Sequence, residues 1–273
     1  MMENSIKFES VGFSKRLRSM LRVDFRRMWR SRYFYILIAC ALLIPIVMTV
    51  MMNMMDGSES VNQQTGETVI MEGPESAWQN LGTLPSDEKV KGAEIFAMCN
   101  INMAFMGVSV FVCLFISEDF RSGYAKNLFT VRAKKGDYVT SKTLAGFVCG
   151  ALILIAYFIG TILGGAIANL SFDLSAYNLT AANIVMSMIA KILLMLVFVS
   201  IFTLISVAAK QRTWLSICGS LGGGMLLFMM IDLVAAPVGS TAINVALCLF
   251  GGVLFALGLG AFSNLVLKKS SLV

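Results

Sequence analysis

The sequence predicts an all-α integral membrane protein with six transmembrane helices, both termini on the cytoplasmic side, and a cytoplasmic-side amphipathic helix before the first span. Of its 273 residues, 57% are hydrophobic and only 14% are charged, whereas soluble domains are about 45–50% apolar and about 25% charged. A chain of this length cannot bury so many apolar side chains in one core. Much of its surface must therefore face lipid. Six apolar runs, and the placement of Lys and Arg between them, complete the prediction.

Residues 13–32 predict a basic amphipathic helix. Apolar side chains recur there at steps of three and four, which puts them on one helical face, and Ser14 is the predicted N-cap. The apolar positions are Phe13, Leu17, Met20, Leu21, Phe25, Met28 and Trp29, and the basic residues of interest are Arg22, Arg26, Arg27 and Arg30. Such a helix lies in the membrane interface and attracts anionic lipid, although an anchor that only sets topology has the same pattern.

Six apolar stretches are long enough to cross the membrane, since a crossing takes roughly 20 helical residues. They lie at about 33–55, 95–117, 143–168, 183–208, 213–231 and 241–267. A short polar turn at 210–213 separates the fourth from the fifth, which predicts a tight helical hairpin. Three glycine pairs at small-xxx-small spacing predict close helix packing. They are Gly146 and Gly150, Gly160 and Gly164, and Gly219 and Gly223.

The distribution of Lys and Arg orients these spans. Residues 1–32 hold nine and residues 117–142 hold six, and the turn 210–213 and the pair 268–269 bring one side to 19 of the 22. These segments alternate with the others along the chain, so a six-span topology brings them together on one side. Because basic loops stay in the cytoplasm, both termini are predicted to lie there.

The long segment 54–94 is acidic, with eight Asp and Glu residues against two lysines and a net charge of −6. Its glycines and prolines predict a loose loop with a short helix near 74–81. A solvated linker explains this composition. A surface that gathers cationic ligands by long-range attraction explains it as well.

The polar segment 117–142 follows the second span and is too patterned for a plain linker. Glu118 and Asp119 lie at the membrane end of that span, where a carboxylate costs free energy unless it is paired. Arg27 or Arg30 of the amphipathic helix are the predicted partners. Without such pairing, the two acids simply extend to the aqueous surface.

These features together resemble the ABC-2 type permeases, the membrane subunits of type V ATP-binding cassette exporters, and among them the branch of lantibiotic immunity and bacitracin resistance. The resemblance covers the whole chain as architecture. Its sequence signature is confined to the run L-R-V-D-F-R-R-M-W-R-S-R-Y-F at 21–34 and to part of 117–142. The matching residues of the second segment are Glu118, Gly123, Lys126, Asn127, Arg132, Tyr138, Ser141 and Lys142.

The resemblance implies a mechanical role for both segments. The amphipathic helix would be the elbow helix, and residues 119–137 would be a coupling helix that docks in a groove of a separate nucleotide-binding subunit. Glu118 would connect the second span to the elbow helix and to the coupling helix. The residues implied in coupling are Glu118, Asp119, Gly123, Lys126, Asn127 and Arg132. The link 232–240 is short for the re-entrant helices of many relatives.

The chain divides into an N-terminal segment, 1–32, and a transmembrane domain, 33–273, which contains the acidic loop 54–94 and the coupling segment 118–142. It has no histidine, which excludes Ser-His and Cys-His nucleophile pairs. A G-x-x-x-x-G-K-[ST] phosphate loop is also missing, so neither enzymatic activity nor a bound cofactor is expected. The resemblance implies that ATP and Mg²⁺ bind a partner ATPase. A second permease copy and membrane lipid complete the expected partners, without nucleic acid.

Few polar groups lie inside the spans. No acid lies deep in any of them, which disfavours a proton- or sodium-driven carrier. Lys191, roughly 12 Å below the outer surface at 1.5 Å per residue, and the amides Asn100 and Asn102 are candidates for lining a translocation path. Alternatively, Lys191 extends outward to Asp173 or Glu94. The six cysteines all lie in apolar runs and receive no chemical role.

The sequence therefore predicts the permease half of an ATP-driven exporter in the plasma membrane of a bacterium, acting as a dimer with separate ATPase subunits. An amphipathic substrate is expected, either a lipid-like molecule or a peptide antibiotic such as a lantibiotic, with a cationic antimicrobial peptide as the first candidate. A non-transporting membrane scaffold or sensor subunit has the same hydropathy and stays open as the alternative.

Overall fold

The computed structural model describes residues 12–61, 68–70, 73–74, 76–82, 100–130, 134–230 and 239–269. In these ranges the chain forms eight α-helices, two short 3₁₀ helices and one antiparallel hairpin. The α-helices are α1 (Phe13–Arg30), α2 (Arg32–Met54), α3 (Met103–Arg121), α4 (Tyr124–Thr130), α5 (Lys135–Ile167), α6 (Ala181–Ala209), α7 (Thr213–Met230) and α8 (Ala242–Lys269), and the strands are β1 (Glu59–Val61) and β2 (Thr68–Ile70). The fold is helical, as the sequence predicts.

Five of the helices are long and apolar enough to cross a membrane, namely α2, α3, α5, α6 and α8. Each overlaps one of the predicted spans, although α3 begins at Met103 and α5 at Lys135, whereas the sequence predicts 95 and 143. α7 occupies the remaining one, but its apolar stretch Thr213–Phe228 is shorter than the other five. Large apolar side chains such as Phe250 and Leu254 of α8 are about 70% exposed, which is the surface that lipid covers. The chain is therefore a multi-pass helical membrane protein.

α1 has the predicted amphipathic character, with Met28 fully buried against the core. It begins after Gly12, and no side chain caps its first turn. The prediction of Ser14 as N-cap is wrong, because the helix already includes that residue. Phe13 and Trp29, predicted on the apolar face that meets the membrane interface, are 52% and 49% exposed.

Apart from Lys191, the basic residues that the structure describes gather at one end of the helix bundle, which we call the basic end. There the start of α5 meets the end of α8, because Lys135 Nζ donates to the Leu267 carbonyl at 2.6 Å. The end of α3 meets the α6–α7 turn, where Gln211 Nε2 donates to the Phe120 carbonyl at 3.5 Å. The described loops thus alternate between two ends of the bundle.

The opposite end holds the described part of the acidic segment. A 3₁₀ helix, Ala77–Leu81, lies where the sequence predicts a short helix. Asn80 Nδ2 donates to Thr49 Oγ1 of α2, and Trp78 Nε1 donates to the Phe172 carbonyl at 3.2 Å. This stretch is packed on the membrane helices and is not a free linker.

Close contact between α2 and α5 depends on the pair Gly160 and Gly164. A Cβ atom at Gly160 would lie 2.3 Å from the Leu42 carbonyl oxygen and 2.7 Å from Pro45 Cγ. One at Gly164 would lie 3.0 Å from Ile46 Cα. Because backbone atoms of a packed helix cannot easily move aside, this spacing requires residues without a side chain. The predicted packing role of this pair is confirmed.

Substituting Gly160 tests this contact. We expect Gly160→Ala to lower the free energy of unfolding by about 1–3 kcal/mol, the usual cost of overpacking, which thermal melting of the purified chain in detergent would detect. Gly258→Ala is the matched control, since its site on α8 has open space around it, and it should melt like the parent chain. Equal melting temperatures for the two variants would show that α2 moves away from α5 without cost.

Candidate functional site

Four charged side chains meet at the basic end, between α1, α3 and α5. They are Asp24 and Arg27 of α1, Asp119 of α3 and Lys142 of α5, and we call them the charge cluster. Asp24, Asp119 and Lys142 are at most 2% exposed, whereas the Arg27 side chain is 29% exposed. Two carboxylates face two cations, so the charge cluster is balanced when all four groups are ionised.

Lys142 lies at the centre of the charge cluster. Its Nζ is 2.6 Å from Asp24 Oδ1 and 2.7 Å from Asp119 Oδ2. The same atom lies 4.0 Å from the centre of the Phe115 ring, a favourable position for a cation. One ammonium group of α5 therefore joins α1 to α3.

Two hydroxyl groups of α5 also donate hydrogen bonds to the carboxylates. The Ser141 hydroxyl donates to Asp24 Oδ2 at 2.5 Å, and the Tyr138 hydroxyl donates to Asp119 Oδ2 at 3.0 Å. Residues three and four apart are neighbours on a helix surface, so Tyr138, Ser141 and Lys142 face the two acids together. The matched pattern Y-x-x-S-K thus has a direct structural meaning in this chain.

Arg27 closes the charge cluster on the side of α4. Its Nη1 lies 2.5 Å from Asp119 Oδ1, and its guanidinium carbon lies 4.6 Å from the centre of the Tyr124 ring. Burial lowers the pKa of Arg27, but the attraction and hydrogen bonding of the Asp119 carboxylate, together with the attraction of Asp24, outweigh burial, so this pKa is raised. Burial and the carboxylates of Asp24 and Asp119 raise the pKa of Tyr124. The guanidinium therefore stays charged and the phenol neutral.

The charge cluster holds these helices in one relative arrangement. Removing ions from water costs several kcal/mol each, and their attraction repays this only with good geometry and complete hydrogen bonding. A displaced partner would leave a buried charge uncompensated. A second ion pair, between Arg16 Nε and Asp137 Oδ2 at 2.7 Å, also links α1 to α5. Other relative positions of α1, α3 and α5 are therefore strongly disfavoured.

The sequence predicts a carboxylate at the foot of the second span that pairs with Arg27 or Arg30. The pair is formed by Arg27 and Asp119, while Glu118 is exposed and its Oε2 lies 3.5 Å from Arg121 Nη2. Consecutive residues point about 100° apart on a helix, so only one of the two acids can face α1. The contact with the amphipathic helix implied for Glu118 is therefore made by Asp119.

Asp24 is not among the residues that the sequence predicts, although a signal for it exists. It is the only acid in α1, and it lies four residues after Met20 and four before Met28. It therefore sits in the middle of the apolar face. A carboxylate in an apolar stripe must find a cation or a hydrogen-bond donor, and here it finds Lys142 and Ser141.

A short helix, α4, follows α3 in the chain, and Gly123 lies between the two helices. The φ of +74° at this residue is readily adopted only without a Cβ atom, so Gly123 allows the chain to change direction between the two helices. Ala125 is buried, and the Phe129 ring lies 5.4 Å from that of Tyr138. The predicted coupling segment is thus anchored by one face to the helices that carry the charge cluster.

The other face of α4 is polar and free. Lys126 and Asn127 are exposed on this face. On α1, three of the arginines predicted on the elbow helix are also exposed, namely Arg22, Arg26 and Arg30. Arg132, also predicted to act in coupling, lies outside the described residues. Whether these side chains contact an ATPase stays a prediction.

The three side chains predicted to line a path are placed as follows. Lys191 is 3% exposed and lies near Cys248 of α8, so it is buried. Asn100 and Asn102 form a local turn before α3, where Asn100 Oδ1 accepts a bond from the Asn102 amide at 2.9 Å. Glu94, the alternative partner of Lys191, lies outside the described residues. A common path for the three stays a prediction.

Removing the central ammonium tests the charge cluster. We expect Lys142→Met to lower the free energy of unfolding by about 3–5 kcal/mol, because both carboxylates lose their shared cation. Thermal melting of the purified chain in detergent measures this loss. Lys126→Met removes the same charge from an exposed site and should stay within about 0.5 kcal/mol of the parent. If the two variants melt together, the charge cluster does not hold the helices.

Comparison of the chain with protein-family models, with curated proteins and with solved structures finds no match. The resemblance to ABC-2 type permeases therefore rests on the sequence motifs alone and stays a prediction.

Proposed function

We propose that the chain is the membrane-spanning permease subunit of an ATP-driven exporter that works with a separate ATPase subunit. The observation that carries this proposal is the charge cluster. It joins an amphipathic helix to two membrane helices, and a short, partly exposed helix packs beside it. A permease without its own ATPase needs such a joint, since it must convert movement of a soluble motor into movement of membrane helices.

The exposed face of α4 is the surface proposed to contact the motor. Behind it, Phe129 packs on Tyr138, and the Tyr138 hydroxyl bonds to Asp119. A displacement of α4 would pass through this aromatic contact into the charge cluster. Because packed interfaces tend to switch between discrete arrangements rather than deform continuously, α1, α3 and α5 would then move together.

The proposed orientation has the basic end in the cytoplasm of a bacterium, as the positive-inside rule requires for a plasma-membrane protein. All six apolar helices would then cross the membrane, with both termini inside. Two permease copies, identical or homologous, would form the transport path. ATP and Mg²⁺ would bind only the motor subunits.

An amphipathic substrate, with a cationic antimicrobial peptide as the first candidate, fits the acidic segment. Of its acids, Asp56 and Glu59 lie in the described residues, and both are exposed. The packed stretch Ala77–Leu81 holds this segment at the end opposite to the basic end. Long-range attraction would concentrate cationic peptides there, and salt would weaken the effect.

A charge reversal at Lys126 tests the contact with the motor. Extracted from its native membrane in mild detergent, the tagged chain is expected to carry an associated ATPase. We expect Lys126→Glu to reduce the recovered ATPase about tenfold, since a charge of the wrong sign at an interface costs several kcal/mol. Quantitative mass spectrometry of the extract measures this recovery.

Lys269→Glu is the matched control, because it reverses the same charge at an exposed site in the last turn of α8. Full recovery with Lys126→Glu would contradict the contact at α4. An extract of the unmodified chain without any nucleotide-binding protein would reject the exporter and favour a scaffold or sensor subunit.

Neutralising acids of the outer segment tests the substrate. The variant combines Glu59→Gln, Glu67→Gln, Glu72→Gln, Asp87→Asn and Glu88→Gln, and it leaves the packed stretch Ala77–Leu81 intact. We expect cells with this variant to become several-fold more sensitive to a cationic peptide at low ionic strength, where attraction between exposed charges is least screened. Sensitivity to an uncharged peptide antibiotic is the control. Unchanged resistance to the cationic peptide would exclude the segment from substrate recognition.

A further inference from the structure

A cleft of about 570 Å³ opens at the basic end, between the end of α3, the start of α4 and the turn that joins α6 to α7. Four cationic residues line it, namely Arg121, Lys126, Lys210 and Arg212, and no acidic residue is among the described residues of its lining. The cleft does not include the charge cluster. We call it the basic cleft.

Among the described residues, the lining of the basic cleft has four cations and no carboxylate. The carboxylate of Glu118 lies 3.5 Å from Arg121, but both side chains are more than half exposed, and such surface pairs contribute little. Clefts lined by one sign of charge focus the electric field and raise the local concentration of ions of opposite sign. The basic cleft therefore selects an anionic group.

Two hydrogen bonds to backbone carbonyls fix the turn that forms one wall of the basic cleft. Lys210 has a φ of +52°, and its amide donates to the Ser206 carbonyl at 2.9 Å, which ends α6 sharply. The Gln211 side chain then reaches the Phe120 carbonyl of α3 at 3.5 Å. Lys210 and Arg212 thus lie on a short turn, whereas Arg121 and Lys126 lie on α3 and α4.

One rim of the basic cleft is apolar. Leu215 lines it and is 55% exposed, and the neighbouring Trp214 is 81% exposed. Both belong to the first turn of α7, an apolar helix. Exposed Trp side chains are typical of the boundary between membrane and water. The basic cleft therefore lies at the depth of lipid headgroups, with lipid along this rim.

From this combination we infer that the basic cleft binds the phosphate headgroup of an anionic phospholipid, with the acyl chains running along Leu215 and α7. Basic pockets between membrane helices on the cytoplasmic side recognise such headgroups. An acidic protein surface would match the charge of the basic cleft but not its lipid-facing rim. The basic cleft shares Lys126 with the proposed motor contact, but the inference does not rest on that contact.

The test measures binding of phosphatidylglycerol to the full-length chain, purified and delipidated in an uncharged detergent, without any ATPase present. Lys210→Gln with Arg212→Gln is the cleft variant, and it leaves Lys126 intact. Lys268→Gln with Lys269→Gln is the control, because it removes the same charge from exposed sites of α8 at the same end of the bundle. Phosphatidylcholine and inorganic phosphate are the comparison ligands.

We expect the cleft variant to weaken phosphatidylglycerol binding about tenfold or more, and the control to change it less than about twofold, because two of the headgroup's cationic contacts are lost. Lys210→Arg with Arg212→Lys should restore binding, which separates loss of charge from misfolding. Phosphatidylcholine should bind no more tightly to the parent chain than to the cleft variant.

Three results would overturn the inference. Equal weakening by the cleft variant and the control would indicate general attraction to a basic surface. Binding of inorganic phosphate as tightly as phosphatidylglycerol would indicate a site for a free anion. Unchanged lipid binding, together with loss of a co-purified ATPase from the cleft variant, would identify a surface for a protein.

Discussion

A lysine held between two aspartates is the interaction on which the basic end depends. Lys142 contacts Asp24 of α1 and Asp119 of α3 from its place on α5, so one side chain sets the positions of three helices. In an interior of low dielectric, attraction is strong and a misplaced charge is costly. The amphipathic helix is therefore positioned by charge as well as by the apolar packing of Met28.

The apolar helices could be predicted from the sequence because lipid imposes a simple rule. A segment that faces hydrocarbon must be apolar over its whole length and must satisfy its own backbone. Accordingly, α2 (Arg32–Met54) and α8 (Ala242–Lys269) agree with the predicted ranges 33–55 and 241–267 to within a few residues. α5 differs, because it begins at Lys135 whereas hydropathy predicts 143. Its polar first turns are helical since their side chains bond to buried acids.

The partners inside the candidate site could not be predicted in the same way. Glu118 and Asp119 are equivalent to any scale of hydropathy or charge, and only the rotation of α3 against α1 decides which one is buried. That rotation is a property of tertiary packing, and so is the burial of Lys191 beside α8. Asp24 is the exception, since its position within an apolar stripe is visible in the sequence itself.

The length of α5 has a mechanical consequence. Its 33 residues extend about 50 Å at 1.5 Å per residue, well beyond a hydrocarbon core of about 30 Å. One end carries Lys142, and near the other a Cβ atom at Gly165 would lie 2.4 Å from Ala77 Cβ of the 3₁₀ helix. A tilt of about 10° around its middle would shift its two ends by about 4 Å in opposite directions, given that length. Because its ends reach opposite sides of the bilayer, a tilt of α5 would move Lys142 and the 3₁₀ helix in opposite directions.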